Sequence, residues 1–223
     1  MQFRPFLLKI RLKLKTWAVR FRPVIKPAPV ETFFKKHWRG DELGETYFHS
    51  CESRRFFFDL NTKEEFANAL NKRFSGNKDS ILTQAHKILE HRLDLLGSGE
   101  VNLGETINWH RDFKSGYEWP KVHFSKIKTV DLNNQADVKV PWELSRLQFI
   151  TTLGRAYWFT GDPKYKEQFV FELTDWIKSN PVDHGVNWTC SMEVAIRAIN
   201  IIWGMNFFSG RGELSGKVLK EVI

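Results

Sequence analysis

The sequence predicts an all-α fold made of antiparallel helical hairpins. Apolar residues recur at helical spacing in several successive segments. Gly and Pro mark short turns between those segments, and helices joined by short turns pack as antiparallel neighbours. A length of 223 residues and a hydrophobic fraction of 42% suit one globular domain with a sizeable core.

Two helices are predicted in the first half of the chain. The first covers 63–74 and begins with a capping-box pattern. The second has a regular apolar face that continues to Leu96 and ends at a glycine. The residues that mark these helix ends are Thr62 and Glu65 for the first helix, and Asp79 or Ser80 and Gly97 for the second.

Three longer helices follow, over 141–159, 163–180 and 189–208. The third is apolar on nearly all sides, which predicts a buried helix. Another helix starts among glycines near 210–216 and the sequence ends within it, so we expect an incomplete fold. The predicted helix-end residues are Pro141, Asp162-Pro163 and Asn180-Pro181.

The first 30 residues form a basic arm, and 31–223 form the helical domain. The arm holds eight Lys or Arg and no acid, whereas the rest of the chain carries 26 basic and 26 acidic residues. Its apolar residues fall at helical spacing over 3–21, and three prolines then predict an extended linker. This helix suits either an anionic membrane surface, contacted through residues 1–22, or packing against the body. Because the body is neutral, nucleic acid is not an expected partner.

Other sequence patterns exclude several classes of site. The two cysteines, Cys51 and Cys190, are far apart and belong to no CxxC motif, so we expect neither a disulfide framework nor a zinc knuckle. The seven histidines are scattered and no phosphate-cradling glycine loop occurs, so we predict no metal and no cofactor. No apolar run is long enough to span a membrane. The N-terminus lacks a signal-peptide pattern, which favours the bacterial cytoplasm or inner-membrane surface.

The apolar residues of the segment 97–140 follow no sustained helical or strand periodicity, and the segment is rich in Gly, Asn, Trp and His. Long irregular segments inside a compact domain are often binding loops. Aromatic side chains here suit the floor of a groove for a ring-shaped ligand, but they equally suit a core. The residues with these two interpretations are Trp109, His110, Tyr117 and Trp119.

Polar residues also occur at the starts of the later apolar helices. Glu193 and Arg197 are four residues apart in the order that favours a helical ion pair, and Glu143 and Arg146 are three apart. Trp142 shares a helical face with Arg146, so the two suit one wall of a sugar cleft. Asn187 and Trp188 precede the last long helix, where Asn suits either a cap or a ligand contact, and Trp188 either stacks on a sugar or packs in the core.

Five segments of the chain resemble the N-terminal half of the heparinase II/III and alginate-lyase-like family. They are INWHRDFKSGYEWP, KVPWELSRLQ, AYWFTGDPKYKEQF, DWIKSNP and GVNWTCSMEVAIRAIN, and the resemblance covers about residues 60–210. It implies a partial (α/α) toroid of helical hairpins, followed in the family by an antiparallel β-sandwich that this chain lacks. It also implies β-elimination in a uronate-containing acidic polysaccharide, and it keeps a periplasmic location open.

The resemblance also implies roles for individual residues. In β-elimination the negative charge of the uronate carboxylate must be neutralised before a base can remove the neighbouring proton. Asn187 matches the family's neutralising Asn, and Trp188 stands where many members have His. The catalytic Tyr and His of the family are expected beyond this chain. We assign sugar binding to Trp188, Arg197, Glu193, Trp142, Arg146, Trp109, His110, Tyr117 and Trp119.

Two functions follow as expectations. The first is the N-terminal portion of a polysaccharide lyase, which would cleave its substrate when complete. The alternative is a non-catalytic carbohydrate-binding or assembly module in cell-surface polysaccharide metabolism. A third hypothesis, recruitment to a membrane surface, depends only on the basic arm.

Overall fold

The computed structural model describes residues 62–73 and 76–208, and this part of the chain is mostly helical. The predicted basic arm, the proline-rich linker and the helix after Gly210 lie outside the described residues. None of the described helices is long and apolar enough to cross a bilayer. The helices are α1 Lys63–Arg73, α2 Asn77–Leu89, α3 Lys139–Ser145, α4 Phe149–Thr160, α5 Lys164–Ser179 and α6 Ser191–Phe208, with short 3-10 helices at Phe124–Lys126 and Val186–Trp188.

A small antiparallel hairpin corrects the prediction of a purely helical fold. Its strands are β1, Arg92–Asp94, and β2, Glu100–Asn102, with Leu93 opposite Val101. The hairpin occupies residues that were predicted to continue the second helix to Leu96. That helix instead ends at Leu89, because His91 has a left-handed φ of +51° that α-helix cannot continue through.

The helix predicted over 141–159 is two helices, α3 and α4. The break lies at Leu147, which has a φ of +58° and a side chain that is fully buried. A left-handed conformation is unfavourable for a leucine, but burial of its side chain offsets that cost by about 2 kcal/mol. Local periodicity continues across the break, so the sequence pattern does not reveal it.

The boundaries of the next two helices confirm the predictions within two residues. Asp162 accepts a hydrogen bond at 3.1 Å from the backbone N–H of Lys164 at the start of α5, and Asn180 follows the end of that helix. The prediction that α6 is buried on all sides is wrong. Met192, Ile199 and Ile202 are each more than half exposed, because the described part of the chain covers α6 mainly with α4, the 3-10 helix Val186–Trp188 and α3.

Helix α4 lies at the centre of the core and packs against α2, α5 and α6. Its contact with α6 is close, since a Cβ on Gly154 would lie 2.7 Å from Cβ of Phe207. Gly204 of α6 lies in the same way against Phe169 of α5. These glycines let the backbones of the helices approach. The arrangement of the helices as a toroid stays a prediction.

Candidate functional site

The structure brings six of the predicted site residues to one junction. They come from α3, from the 3-10 helix Val186–Trp188 and from the first two turns of α6. The indole N–H of Trp142 donates to the carbonyl of Val186 at 3.0 Å, which ties α3 to the turn before α6. The six residues are Trp142, Arg146, Asn187, Trp188, Glu193 and Arg197.

Arg146 lies between two carboxylates. Its guanidinium donates to both oxygens of Glu193, from Nε at 2.6 Å and from Nη2 at 2.9 Å, and its Nη1 pairs with Glu143. The hydrogen bond with Glu193 is the main cause that raises the pKa of Arg146. Because two negative charges face one positive charge, this cluster offers no free cation to a uronate.

The pairing within α6 differs from the prediction. Glu193 was predicted to pair with Arg197 of its own helix, but it pairs across the junction with Arg146. The predicted pair of Glu143 and Arg146 is confirmed. Glu193 is only 1% exposed, so its bidentate partner compensates a costly buried charge and fastens α6 to α3.

Arg197 is 3% exposed and its guanidinium packs against two adjacent indole rings. The two rings are neighbours, with centroids 5.9 Å apart, and Cζ of Arg197 packs against both, 4.2 Å from the centroid of Trp176 and 5.2 Å from that of Trp188. It donates to the carbonyls of Ser145 at 3.3 Å and Asn187 at 3.1 Å. Burial lowers its pKa to about 10, so the group stays charged at neutral pH and is stabilised by carbonyl dipoles and π faces.

Asn187 is fully buried, and its amide is used inside the protein. The Nδ2 group donates to the carbonyl of Trp109 at 2.8 Å and to Oδ1 of Asn180 at 2.8 Å. Neither amide hydrogen is free for a substrate carboxylate in this arrangement. The residue also precedes the start of α6 by four positions, so it does not cap that helix. Its catalytic role stays a prediction, and direct contact with a uronate needs these two bonds to break.

The aromatic residues of the irregular segment divide into core and surface. Trp109, His110 and Trp119 are each at most 3% exposed, which corrects their assignment to an open groove. The indole of Trp109 donates to Asp175 of α5 at 2.7 Å. Only Tyr117 of the four keeps a large exposed surface, 38%, with its ring edge-to-face against Trp119 at 4.9 Å.

The environment of His110 does not suit a general base. Its Nε2 lies 2.9 Å from the carbonyl of Ser179, which can only accept, so Nε2 carries the proton. Burial lowers the pKa of His110, and its Nδ1 has no hydrogen-bond partner among the described residues. His110 is 1% exposed in this structure, and its role in sugar binding stays a prediction.

Sequence reasoning missed Asn180, which connects the end of α5 with the junction. It is buried, it accepts from Asn187, and its own amide donates to the carbonyl of Trp176 at 2.8 Å. Its backbone carbonyl also accepts from the indole of Trp188 at 3.3 Å. The Asn-Pro pair indicated only a helix end, and no local pattern could have shown the buried amide network.

Potential metal binding and the shape of the surface are further features of the described residues. No group of three or more His, Cys, Asp or Glu side chains in 62–73 and 76–208 could hold a metal ion. A surface depression of about 470 Å³ runs along α5, where Phe171 and Val170 lie between Lys166 and Lys178. None of the predicted site residues lines it.

Comparison with known proteins places most of the chain in one family. The model of the family described as heparinase II/III N-terminus matches residues 46–219. The chain belongs to this family. The matched residues of this heparinase II/III family member include the junction around Arg146 and the segment from Trp109 to Trp119.

Two curated relatives of this family member are heparin-sulfate lyases. The lyase of Pedobacter heparinus is 28% identical over 97 residues, which cover 44% of this chain and 11% of the lyase. The lyase of Bacteroides stercoris is 32% identical over 81 residues, which cover 36% of this chain and 9% of the lyase. The aligned residues thus span about a tenth of the length of each relative.

One solved structure is also similar to this heparinase II/III family member. It is a mutant of the heparan sulfate lyase HepC from Pedobacter heparinus, with a TM-score of 0.49 and 19% sequence identity. The similarity covers 82% of this chain and 28% of that one.

Proposed function

We propose that this chain is the helical N-terminal region of a polysaccharide lyase that acts on a uronate-containing acidic polysaccharide by β-elimination. The observation that carries the proposal is the family match over residues 46–219, together with two relatives that are both named heparin-sulfate lyases. Because the aligned residues span about a tenth of those relatives, the activity is proposed for a protein that contains this region.

The chemistry defines what the protein must provide. A base removes the proton next to the uronate carboxylate, electrons flow to form the carbon–carbon double bond, and an acid protonates the leaving glycosidic oxygen. The carboxylate must be neutralised for that proton to become acidic enough. We assign the proton transfer to groups beyond the described residues, since His110 is buried and Tyr117 has no acidic or basic side-chain partner within the described part.

The geometry supports a positioning role for most of the junction. Glu193, Arg197 and Asn187 are buried and bonded internally, so in our proposal they hold the turn before α6 in place. Sugar contact then belongs to side chains that keep exposed surface. We propose Tyr117, together with the half-buried Trp142 and Trp188, for that contact. Arg146, by contrast, is paired with Glu143 and Glu193 and belongs to the positioning group.

A lyase assay tests the proposed function. The polypeptide encoded by the complete reading frame is incubated with heparan sulfate, heparin and alginate, and with neutral dextran as a control. We expect ultraviolet absorbance from an unsaturated uronate to appear with at least one acidic polymer and not with dextran. The proposal is overturned if the complete polypeptide cleaves none of the uronate polymers, and binding without cleavage would favour the non-catalytic carbohydrate-binding module.

Substitution of Tyr117 tests the surface contact. An exposed aromatic ring that stacks on a sugar contributes roughly 0.5–1.5 kcal/mol, so Tyr117→Ala is expected to weaken oligosaccharide binding about 2–10-fold. Phe171→Ala is the matched control, because Phe171 is an exposed aromatic residue on α5. Calorimetric titration with the bound oligosaccharide measures both. Equal affinities of Tyr117→Ala and the unmodified protein would remove Tyr117 from the proposed surface.

A further inference from the structure

His91 lies where three parts of the fold meet. It follows the end of α2, precedes β1, and faces both the segment after β2 and helix α5. Its side chain is 7% exposed, and its ring stacks on Phe171 with centroids 6.3 Å apart. Neither the predicted site nor the proposed function uses this residue.

Both ring nitrogens of His91 face hydrogen-bond acceptors. Nδ1 is 2.7 Å from the carbonyl oxygen of Gly104, and Nε2 is 2.8 Å from Oε1 of Glu172 on α5. A carbonyl and a carboxylate can only accept, and a neutral imidazole carries one proton. The amide Nε2 of Gln168 also lies 3.2 Å from the ring Nε2, but this contact is longer, and the same amide donates to Oε1 of Glu172 at 2.7 Å. The two short contacts with Gly104 and Glu172 are both favourable only when the ring is a doubly protonated imidazolium.

Glu172 depends on that positive charge. Its side chain is 1% exposed, Oε1 also accepts from Gln168 at 2.7 Å, and Oε2 has no partner among the described residues. The other acidic group near the ring is Asp175, also on α5, which accepts from Trp109. On the hairpin side Gly104 presents only its carbonyl, and the flanking Arg92 is paired with Glu90 and Glu100. The imidazolium is thus the counter-charge of a buried carboxylate.

We propose that His91 is a pH-sensitive clamp that fastens the β1–β2 hairpin and the segment after it to α5. The clamp is closed while the ring carries both protons. When the ring loses one proton, either Gly104 or Glu172 faces a nitrogen lone pair at less than 3 Å, and the buried carboxylate loses its counter-charge. The hairpin then separates from α5 more often.

The direction of the pH dependence follows from the environment of the ring. The hydrogen bond with Glu172 is the largest cause that raises the pKa of His91 above its ordinary value of 6.5. A raised pKa in the folded state means that the stabilisation is complete below 6.5 and is lost as the pH rises through the folded-state pKa. The clamp therefore closes on the acidic side and loosens on the alkaline side.

The clamp also controls the segment that leads to the buried aromatic residues. Five residues after Gly104, Trp109 makes a second tie to α5 through Asp175. When the contact between His91 and Glu172 is lost, the residues between Gly104 and Trp109 stay attached to α5 only through Trp109. This inference does not rest on the proposed function, and it holds whether or not the protein cleaves a polysaccharide.

Hydrogen exchange and histidine NMR of the 223-residue protein test the clamp. The measured exchange rates of amides in 92–104 are first corrected for the pH dependence of intrinsic exchange. The equilibrium constant for opening is then expected to rise by up to about tenfold per pH unit, over the pH range between the pKa values of His91 in the open and closed states. Glu172→Gln is expected to lower the pKa of His91 and move this change to lower pH. His91→Gln is expected to abolish the pH dependence.

His86→Gln is the matched control, because His86 is an exposed histidine on α2 that contacts Tyr165 and not the hairpin. It is expected to leave the profile unchanged. The clamp is overturned if exchange of 92–104 stays flat with pH, if the dependence persists in His91→Gln, or if His91 titrates at or below 6.5. Should His91→Gln fail to fold, the change in the pKa of His91 and in the pH dependence of exchange in Glu172→Gln still decides between these outcomes.

Discussion

Arg146→Met is expected to lower the free energy of unfolding by about 3–5 kcal/mol. The substitution removes the only cation that hydrogen-bonds Glu193 within the described part of the chain, and Glu193 is 1% exposed. A buried carboxylate without its partner keeps its desolvation cost and loses the compensating attraction. The fastening of α6 to α3 is lost with it. Urea denaturation followed by tryptophan fluorescence measures the change.

Two further variants separate the buried pair from its exposed neighbour. Glu143→Gln is expected to cost at most about 1 kcal/mol, because Glu143 is partly exposed and only one Arg146 nitrogen pairs with it. Replacing both Arg146 and Glu193 with Met removes both charges, and the double variant is expected to be more stable than Arg146→Met alone. If the double variant is the less stable of the two, an unpaired carboxylate is not the cause of the loss.

Helix boundaries that depend on local chemistry could be predicted from the sequence. The Asp162-Pro163 start and the Asn180-Pro181 end of α5 agree with the structure, since caps and prolines act on the residues beside them. The same logic failed at His91 and Leu147. Both adopt left-handed conformations that only tertiary contacts stabilise, the imidazolium clamp in one case and a buried leucine in the other.

The partners of charged and amide groups could not be predicted in the same way. Spacing placed Glu193 and Arg197 on one helical face, but a pattern within one helix contains no information about Arg146, which lies 47 residues earlier. The amide of Asn187 is bonded to Trp109, 78 residues away. Sequence reasoning thus selected six residues that the structure brings together, but it could not distinguish buried supporting residues from residues that contact substrate, and the site itself stays a prediction.

Gly185→Ala is expected to be the most damaging small substitution at this junction. Gly185 has φ +93° and ψ 170°, a backbone conformation that is essentially restricted to glycine and costs about 1–3 kcal/mol for other residues. A Cβ at this position would lie 2.9 Å from Nδ1 of His110 and still closer to its Cε1. Overpacking of this kind adds about 1–3 kcal/mol. The displaced ring also loses its bond to Ser179. Thermal unfolding followed by circular dichroism measures the total loss of stability.

Gly161→Ala is the control for a glycine with positive φ and no steric contact, although its ψ of 4° places it in the milder left-handed helical region. Gly161 also has a positive φ, +69°, but a Cβ there meets no atom within 4 Å, so the expected loss is only about 1–2 kcal/mol. The steric part is isolated by combining Gly185→Ala with His110→Ala, which removes the ring that the new methyl group meets. The double variant is expected to lose about 0.5–3 kcal/mol less free energy of unfolding than the sum of the two single losses. Simple additivity of the two losses would mean that His110 does not press on Gly185, and the close contact that positions the turn before α6 would have to be assigned elsewhere.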